Sequence, residues 1–367
     1  MLRTMDEKQG IGVYSQNLMD HMLRLDQGNE YVLIYRNPDF LGRYAHYDHV
    51  SERLVTAANK LLWDQVKVPL QARRDKLDLI FHTKFTVPLL SGVPSVMVLH
   101  GSAWYVDPAS YKPLDVRYIK TVLPMYIRKS AKVISVSDRA WKDMVEFAGA
   151  DAAKFQTVYN APDDRFFEIQ DEKTLREVKQ KYDLPDRFLL NVGSLSTAKN
   201  VKNLLLAYAQ VKDEIPHKLL IAGRLRVGHS EELAPVETHN LRDHVLFPGW
   251  VSQEDMPALL QLADLFVFPS WYESCSVALL EAMASGCAVV TSNTGGTPEL
   301  TGDAAILVDP TRPEDIANGV RMALSDDNLL QRMRDGSREQ SLRFGWEKCA
   351  RETLAVLHSV GPGSGKH

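Results

Sequence analysis

At 367 residues the chain is too long for one ordinary hydrophobic core, and with 45% hydrophobic and 25% charged residues it reads as a soluble globular protein of two domains. A formal net charge of -4 supplies no global basic field for nucleic acid. The cysteines Cys275, Cys287 and Cys349 are odd in number and lack metal-ligand spacing, so a disulfide framework is excluded and a reducing, cytoplasmic compartment is expected.

Met1–Gln9 is short and polar, and Leu2–Met5 fits the end of an abbreviated first strand, as though the N-terminus were cut short. Gly10-Ile11-Gly12 opens a helical pattern with Val13, Leu18, Met22 and Leu25 apolar. A glycine turn before a helix lets backbone approach a phosphate, and it also suits a plain tight turn. Tyr31–Tyr35 is a predicted strand, and Lys60–Arg74 a predicted helix with basic residues. Leu79–His82 and Ser95–Leu99 are strands, and His100-Gly101 follows the second directly. Tyr118–Lys129 has helical spacing, Lys132–Val136 is a strand, and Ser137-Asp138 caps a helix to about Phe147. Phe155–Tyr159 is a strand ending at Asn160-Ala161-Pro162.

Asp163–Lys181 is highly charged and is expected to surround an inter-domain linker. A second alternation follows, with strands at Phe188–Val192, Leu219–Ala222, Val245–Phe247, Leu265–Phe268, Ala288–Thr291 and Ala304–Val308. Helical patterns at Val201–Lys212, Gln253–Leu262, Cys275–Ser285 and Pro313–Leu324 separate most of them, and a last helix is expected over Trp346–His358. Strands alternating with helices imply parallel sheets with right-handed crossovers. The chain is therefore expected to be α/β, with two tandem Rossmann-like domains at residues 1–165 and 166–345, a C-terminal helix at 346–360 and a flexible tail at 361–367. No apolar run reaches membrane-spanning length and no signal peptide is visible. Neither half carries G-x-G-x-x-G, which disfavours a nicotinamide dehydrogenase. There is no Walker A sequence, and no Asp-x-Asp pair to clamp a diphosphate through a divalent cation.

The stretch Phe266–Glu281, FVFPSWYESCSVALLE, organises the second half. It joins a buried strand to a helix through a polar, aromatic break. Ligands in open α/β sheets bind beyond the carboxyl ends of the strands, where Glu273 falls. A carboxylate accepts two hydroxyl hydrogen bonds at once, so Glu273 and Glu281 suit a polyhydroxy ligand. The helix start near Ser274, Cys275 and Ser276 offers backbone N–H groups to anionic oxygens. Ser274, Glu281 and Ser285 also suit the solvent face of an ordinary helix. Gly193–Lys199, Gly223-Arg224 and Pro248–Val251 end at neighbouring strand tips, so Lys199 and Trp250 are expected in the same crevice. Lys199 suits a phosphate as a point charge, and equally a solvated lysine before a helix.

These motifs resemble the family-4 retaining glycosyltransferases. The resemblance rests on GSLSTAKN at Gly193–Asn200, FPGWV at Phe247–Val251, the Glu-x7-Glu motif at Glu273–Glu281 with EAMASGCAVVTSNTGGTPEL after it, and LVDP at Leu307–Pro310. Weaker matches are GIGVYSQNL at Gly10–Leu18, LHG at Leu99–Gly101, VISVSD at Val133–Asp138 and VYNAP at Val158–Pro162. The resemblance implies the GT-B fold, with a ligand cleft between the two domains and the last helix crossing back to the first. It implies transfer from a nucleoside diphosphate sugar to an acceptor hydroxyl, with retention and without a metal. Glu281 would take ribose hydroxyls, Glu273 the transferred sugar, and Lys199 in the loop from Gly193 and Ser194 the diphosphate. The Gly10 backbone would face that diphosphate, His100 would point at the sugar, and the main chain at Trp250 and Val251 would flank the base. Family members usually carry an Arg aligned with Ser194 or Ala198; this chain has neither, and Arg224 or Arg226 is the candidate substitute.

Lipid-linked acceptors are common in that family, and Lys120, Arg128, Lys129 and Lys132 lie on or near an amphipathic stretch that would suit anionic lipid on the inner membrane face or a solvated surface. A nucleotide-sugar epimerase and a non-catalytic nucleotide-sugar-binding protein of the same fold are the alternatives. No nucleic-acid partner is expected.

Overall fold

The computed structural model describes residues 10–193, 197–223 and 230–361. The chain divides into two compact units, one running to Asn160 and resuming at Trp346, the other spanning Ala161–Gly345. The division thus falls after Asn160 rather than after residue 165.

In the first unit β1 (Tyr31–Tyr35) pairs in parallel with β2 (Val50–Leu54). The strands β3 (Ile80–His82), β4 (Ser95–Leu99), β5 (Lys132–Ser135) and β6 (Phe155–Thr157) form a four-stranded parallel sheet in that order. All of β4 is buried, as the continuous apolar run SVMVL requires of an inner parallel strand. The helix Ile11–Leu25 packs on the last helix, Trp346–His358, with the Tyr14 and Trp346 rings 5.7 Å apart. Its buried stripe is Tyr14, Leu18, Met19, Met22 and Leu23, whereas Val13 is exposed. Leu18 and Met22 are thus buried as the sequence led one to expect, while Leu25 is half-buried. The expected strand at Leu2–Met5 lies outside the described residues.

Two further differences have local causes, and the helix expected over Lys60–Arg74 is present. VSERL at β2 is half-exposed along its length, so it lacked the apolar alternation that marks a strand. The basic helix from Lys60 runs to Arg74 through a π turn at Trp63–Lys67. The charged stretch expected to surround the inter-domain linker contains a helix, Glu172–Lys181, capped by Asp171, whose Oδ1 accepts from the Thr174 amide at 2.7 Å. Its high charge belongs to a solvated helix face.

In the second unit β7 (Phe188–Val192), β8 (Lys218–Ala222), β9 (Val245–Gly249), β10 (Leu265–Phe268), β11 (Val289–Ser292) and β12 (Ala305–Val308) make one parallel sheet. Its order is β12-β11-β10-β7-β8-β9. The chain runs outward from β7 to one edge, returns to place β10 on the other side of β7, and runs outward again. Between β7 and β10 the direction of winding reverses, and the connections after those two strands diverge to opposite faces, leaving a crevice at their carboxyl ends. Leu205, Leu219, Val267, Val290 and Ile316 share the core beneath one face. Among the described residues no helix is long and apolar enough to cross a membrane.

Candidate active site

The crevice of the second unit is lined by the segments after β7 and β10. After β7 the chain passes Gly193 and a 3-10 turn, Thr197–Lys199, into the helix Val201–Val211. Asn200 joins turn to helix in the left-handed region, at φ 56, which Asn tolerates better than most side chains. Its buried Nδ2 donates to the Pro269 carbonyl at 2.9 Å and the Pro310 carbonyl at 2.7 Å. The Trp271 amide donates to the Ala198 carbonyl at 3.0 Å. One asparagine and one main-chain bond thus tie the loop after β7 to the loops after β10 and β12.

Lys199 projects from that turn with its methylenes against Gly193, where a Cβ would stand 3.6 Å from the lysine stem. Its Nζ lies 5.0 Å from the centre of the Phe268 ring and donates to Glu273 Oε1 at 2.5 Å. Both side chains are largely buried, so this ion pair is worth more than an exposed one. Glu273 is held from behind by the segment after β11. The Gly296 amide donates to the Glu273 carbonyl at 2.7 Å, and Thr294 Oγ1 donates to the Trp271 carbonyl at 2.9 Å. Gly295 sits at φ +64, and a Cβ there would lie 2.4 Å from the Glu273 oxygen, so only glycine fits.

Glu273 leads through Ser274 and Cys275 into the helix Val277–Ala284. Ser274 and Ser276 are buried, Cys275 is half-buried and in no disulfide, and Ser276 Oγ caps the helix by accepting from the Leu279 amide at 3.3 Å. Glu281 is on the second turn. Burial pushes its carboxyl up to about 8, against the pull of the nearby Arg165 guanidinium. Arg165 is itself gripped by Asp163, through Nε at 3.0 Å and Nη2 at 2.8 Å. A half-buried carboxyl whose charged form is disfavoured gains from hydroxyl donors, which would replace the water it has lost.

On the other side of β7 the strand tips are joined in turn, the Gly193 amide donating to Ala222 at 2.9 Å and the Gly223 amide to Gly249 at 2.8 Å. Beyond them Trp250 is 49% exposed and Val251 is buried. Ser194, Arg224 and Arg226 lie outside the described residues.

In the first unit His100 follows β4. Its Nε2 is 2.8 Å from the Thr83 carbonyl, which can only accept, so Nε2 carries the proton and Nδ1 is the acceptor. The ring meets Tyr14 edge-on at 4.7 Å, and burial pushes it down to about 4, keeping it neutral at physiological pH. Gly10, at φ 60 and ψ -120, starts the helix bearing Tyr14. The amides of Ile11, Gly12 and Val13 are those a helix leaves without an intrahelical acceptor.

Residues 172–340 match the family described as Glycosyl transferases group 1, and residues 8–166 match Glycosyltransferase Family 4. The chain belongs to the group 1 glycosyltransferases. Like them it has the GT-B fold, two Rossmann-like domains each with parallel strands. O-antigen chain mannosyltransferase B of Escherichia coli is 26% identical over 94% of this chain and 94% of its own length. A Campylobacter jejuni enzyme, N-acetylgalactosamine-N,N'-diacetylbacillosaminyl-diphospho-undecaprenol 4-alpha-N-acetylgalactosaminyltransferase, is 30% identical over 65% of this chain and 63% of its own length. Among solved structures, Anabaena HepE in complex with UDP and glucose has a TM-score of 0.74 at 19% identity, covering 96% of this chain and 98% of that one.

In this glycosyltransferase the structure brings Lys199, Glu273 and Gly193 into contact and places Glu281 on the helix that follows. Sequence reasoning passed over Asn200, Gly295 and Arg165. The first two stand inside quoted motifs, as the last residue of GSLSTAKN and within the Gly-Gly of NTGGTPEL, where a left-handed asparagine and a close backbone approach were the available signals. Arg165 carried no signal, because only the fold sets it beside Glu281. Among the described residues no three His, Cys, Asp or Glu side chains gather as a metal ion would need.

Proposed function

We propose that this enzyme moves a sugar from a nucleoside diphosphate sugar to a hydroxyl of a glycan or polyprenyl-linked saccharide, with retention of configuration and without a metal. The observation that carries this reading is the Lys199–Glu273 pair at the switch point, with the half-buried Glu281 on the helix that follows. Glu281 accepts from the ribose hydroxyls and Glu273 from the transferred sugar, while Lys199 leaves Glu273 for the diphosphate. Supporting relatives are named for mannosyl transfer in O-antigen chains and for a diphospho-undecaprenol acceptor. Main chain at Trp250 and Val251 and around Ser274–Ser276 completes the donor site.

In the chemical step the bond from C1 to the diphosphate oxygen breaks and the bond from the acceptor oxygen to C1 forms on the same face. The acceptor proton passes to the departing phosphate oxygen. Lys199 holds the negative charge that grows on that phosphate in a site poor in water. A panel of sugar nucleotides and saccharide or lipid-linked acceptors tests the proposal, with product linkage read by NMR in the presence of EDTA. Retained anomeric configuration and full rate with chelator are expected. Inverted product, or a rate restored only by a divalent cation, overturns it.

A further inference from the structure

The helix Val277–Ala284 carries Glu281 half-buried, and among the described residues its carboxyl has neither a hydrogen bond nor an ion pair. A guanidinium stands within electrostatic reach of it. Arg165 and Glu281 act on each other's charge, yet Arg165 gives its Nε and Nη2 to Asp163, at 3.0 and 2.8 Å. Two parallel N–H bonds to one carboxylate fix both the place and the plane of the guanidinium. The pair is built into a turn. Asp163 Oδ1 also accepts from the Arg165 amide at 3.2 Å and so caps the 3-10 turn Asp164–Phe167. Phe166 is wholly buried, and Arg338 donates to the Phe167 carbonyl. This turn packs on the Glu281 helix, so the fold sets where Arg165 stands.

The other charged groups around that helix are engaged elsewhere. The helix Asp327–Ser341 also packs on it, but Arg334 serves Asp264 and the Ala263 carbonyl, while Arg338 serves Phe167. Asp327, Arg332, Asp335 and Glu339 of the same helix are exposed, as is Asp164 of the turn. Glu273, ahead of the Glu281 helix, is paired with Lys199, and Glu254 acts on Arg165. Arg165 and Asp163 are the charges that bear on Glu281, with opposite signs. The guanidinium favours the ionised carboxyl and the aspartate opposes it.

An arginine free to reach Glu281 would occupy the oxygens that a diol needs. With no arginine there, the half-buried carboxyl would stay neutral to still higher pH. The bidentate grip of Asp163 meets both conditions. We propose that Asp163 and Arg165 are a positioning pair for Glu281, in which Asp163 holds the guanidinium off the carboxyl and Arg165 favours its charged form, so that both oxygens are open to the vicinal ribose hydroxyls of the donor. This rests on the reading of Glu281 as the ribose acceptor, and adds to it the groups that set the pH range over which ribose is preferred.

Calorimetry of the full chain with UDP, GDP and ADP, each beside its dideoxynucleoside diphosphate, tests this from about pH 6 to pH 9. The ratio of the two affinities cancels the titration of the phosphates and leaves the part due to the ribose hydroxyls. In the wild type that ratio should rise about tenfold as Glu281 ionises. Arg165→Gln should move the rise to higher pH, and Arg165→Lys should restore most of the wild-type profile. Asp163→Asn keeps an oxygen to cap the turn but loses the charge that grips Arg165. It should move the rise to lower pH and cut the ribose preference at the alkaline end several-fold, as the released guanidinium pairs with Glu281. A pair that only braced the turn would not shift the profile in opposite directions. Glu281→Gln should flatten the ratio. If it does, a wild-type ratio that ignores pH, or profiles that move the same way or not at all in the Arg165→Gln and Asp163→Asn variants, overturn the pair and leave the ribose reading standing. If Glu281→Gln keeps the full ratio, ribose is bound elsewhere, and the reading of Glu281 falls together with the pair.

Discussion

At the switch point of the second unit Lys199 is paired with Glu273, Asn200 is bonded to two carbonyls, and Gly295 is pressed against the Glu273 backbone. The outer helices of the first unit are the reverse, with leucines and basic side chains left in solvent along Lys60–Arg74 and Pro113–Lys129. The contrast is between a built site and an open surface. A nucleoside diphosphate sugar is small, and a site for it profits from groups held to within tenths of an ångström.

The sharpest way to break the comparison is at Gly295. A Cβ there would lie 2.4 Å from the Glu273 oxygen, at a φ of +64 that no alanine favours, so Gly295→Ala must displace the Glu273 loop. Transfer should fall on the order of a hundredfold, with a loss of about 3 kcal/mol of stability in thermal melts. An active, stable Gly295→Ala enzyme would show that the close approach has no part in placing Glu273.

Glu273→Gln sharpens the same point with a smaller effect. The free carboxylate competes with phosphate for Lys199. Removing its charge should tighten nucleoside diphosphate binding several-fold while slowing transfer about tenfold or more. A nucleoside without phosphate should bind as before. Calorimetry separates these outcomes, and weaker diphosphate binding would place Lys199 elsewhere in the mechanism.

What could be read in advance follows from the same contrast. The strands of the second sheet were legible because a parallel sheet covered on both faces needs continuous apolar runs such as FLLNV and LFVF. The position of Glu273 was legible because it follows such a run. VSERL was missed for want of apolar residues, and Glu172–Lys181 because charge on a solvated helix looks the same as charge on a linker. The contacts of Asn200, Gly295 and Arg165 join segments far apart in the chain, and no local pattern encodes such contacts. The outward leucines carried no warning either, since helical spacing shows two apolar stripes without saying which one is buried.

Asn200→Ala comes next in size. It removes the side-chain donor of the Pro269 carbonyl, leaves the Pro310 carbonyl with Asn203 alone, and puts alanine at φ 56, a cost of about 2 kcal/mol. Chemical denaturation should show that loss in the second unit.

Glu281→Gln tests burial through pH. With its carboxyl pushed up to about 8, Glu281 is favoured neutral in the fold. Its contribution is complete below the ordinary carboxylate range and is lost as pH rises through about 8. Glutamine keeps the shape without the charge. The variant should therefore match wild type near pH 5 and melt a few degrees higher near pH 8. A constant difference across that range would mean that the carboxyl is solvated.

The smallest expected effect lies in the other unit and completes the contrast. Leu114 is 81% exposed, so Leu114→Ser removes almost no buried surface and should change stability by no more than about 0.5 kcal/mol. Leu123, about two and a half turns along the same helix and wholly buried, should cost about 2–5 kcal/mol as alanine. If Leu114→Ser proved as damaging as Leu123→Ala, the outer stripe would be packed against protein in solution. Its leucines would then serve the fold rather than a surface partner. Equal melting of Leu114→Ser and wild type leaves an aliphatic side chain that the fold does not use, on a helix whose basic residues face the same solvent.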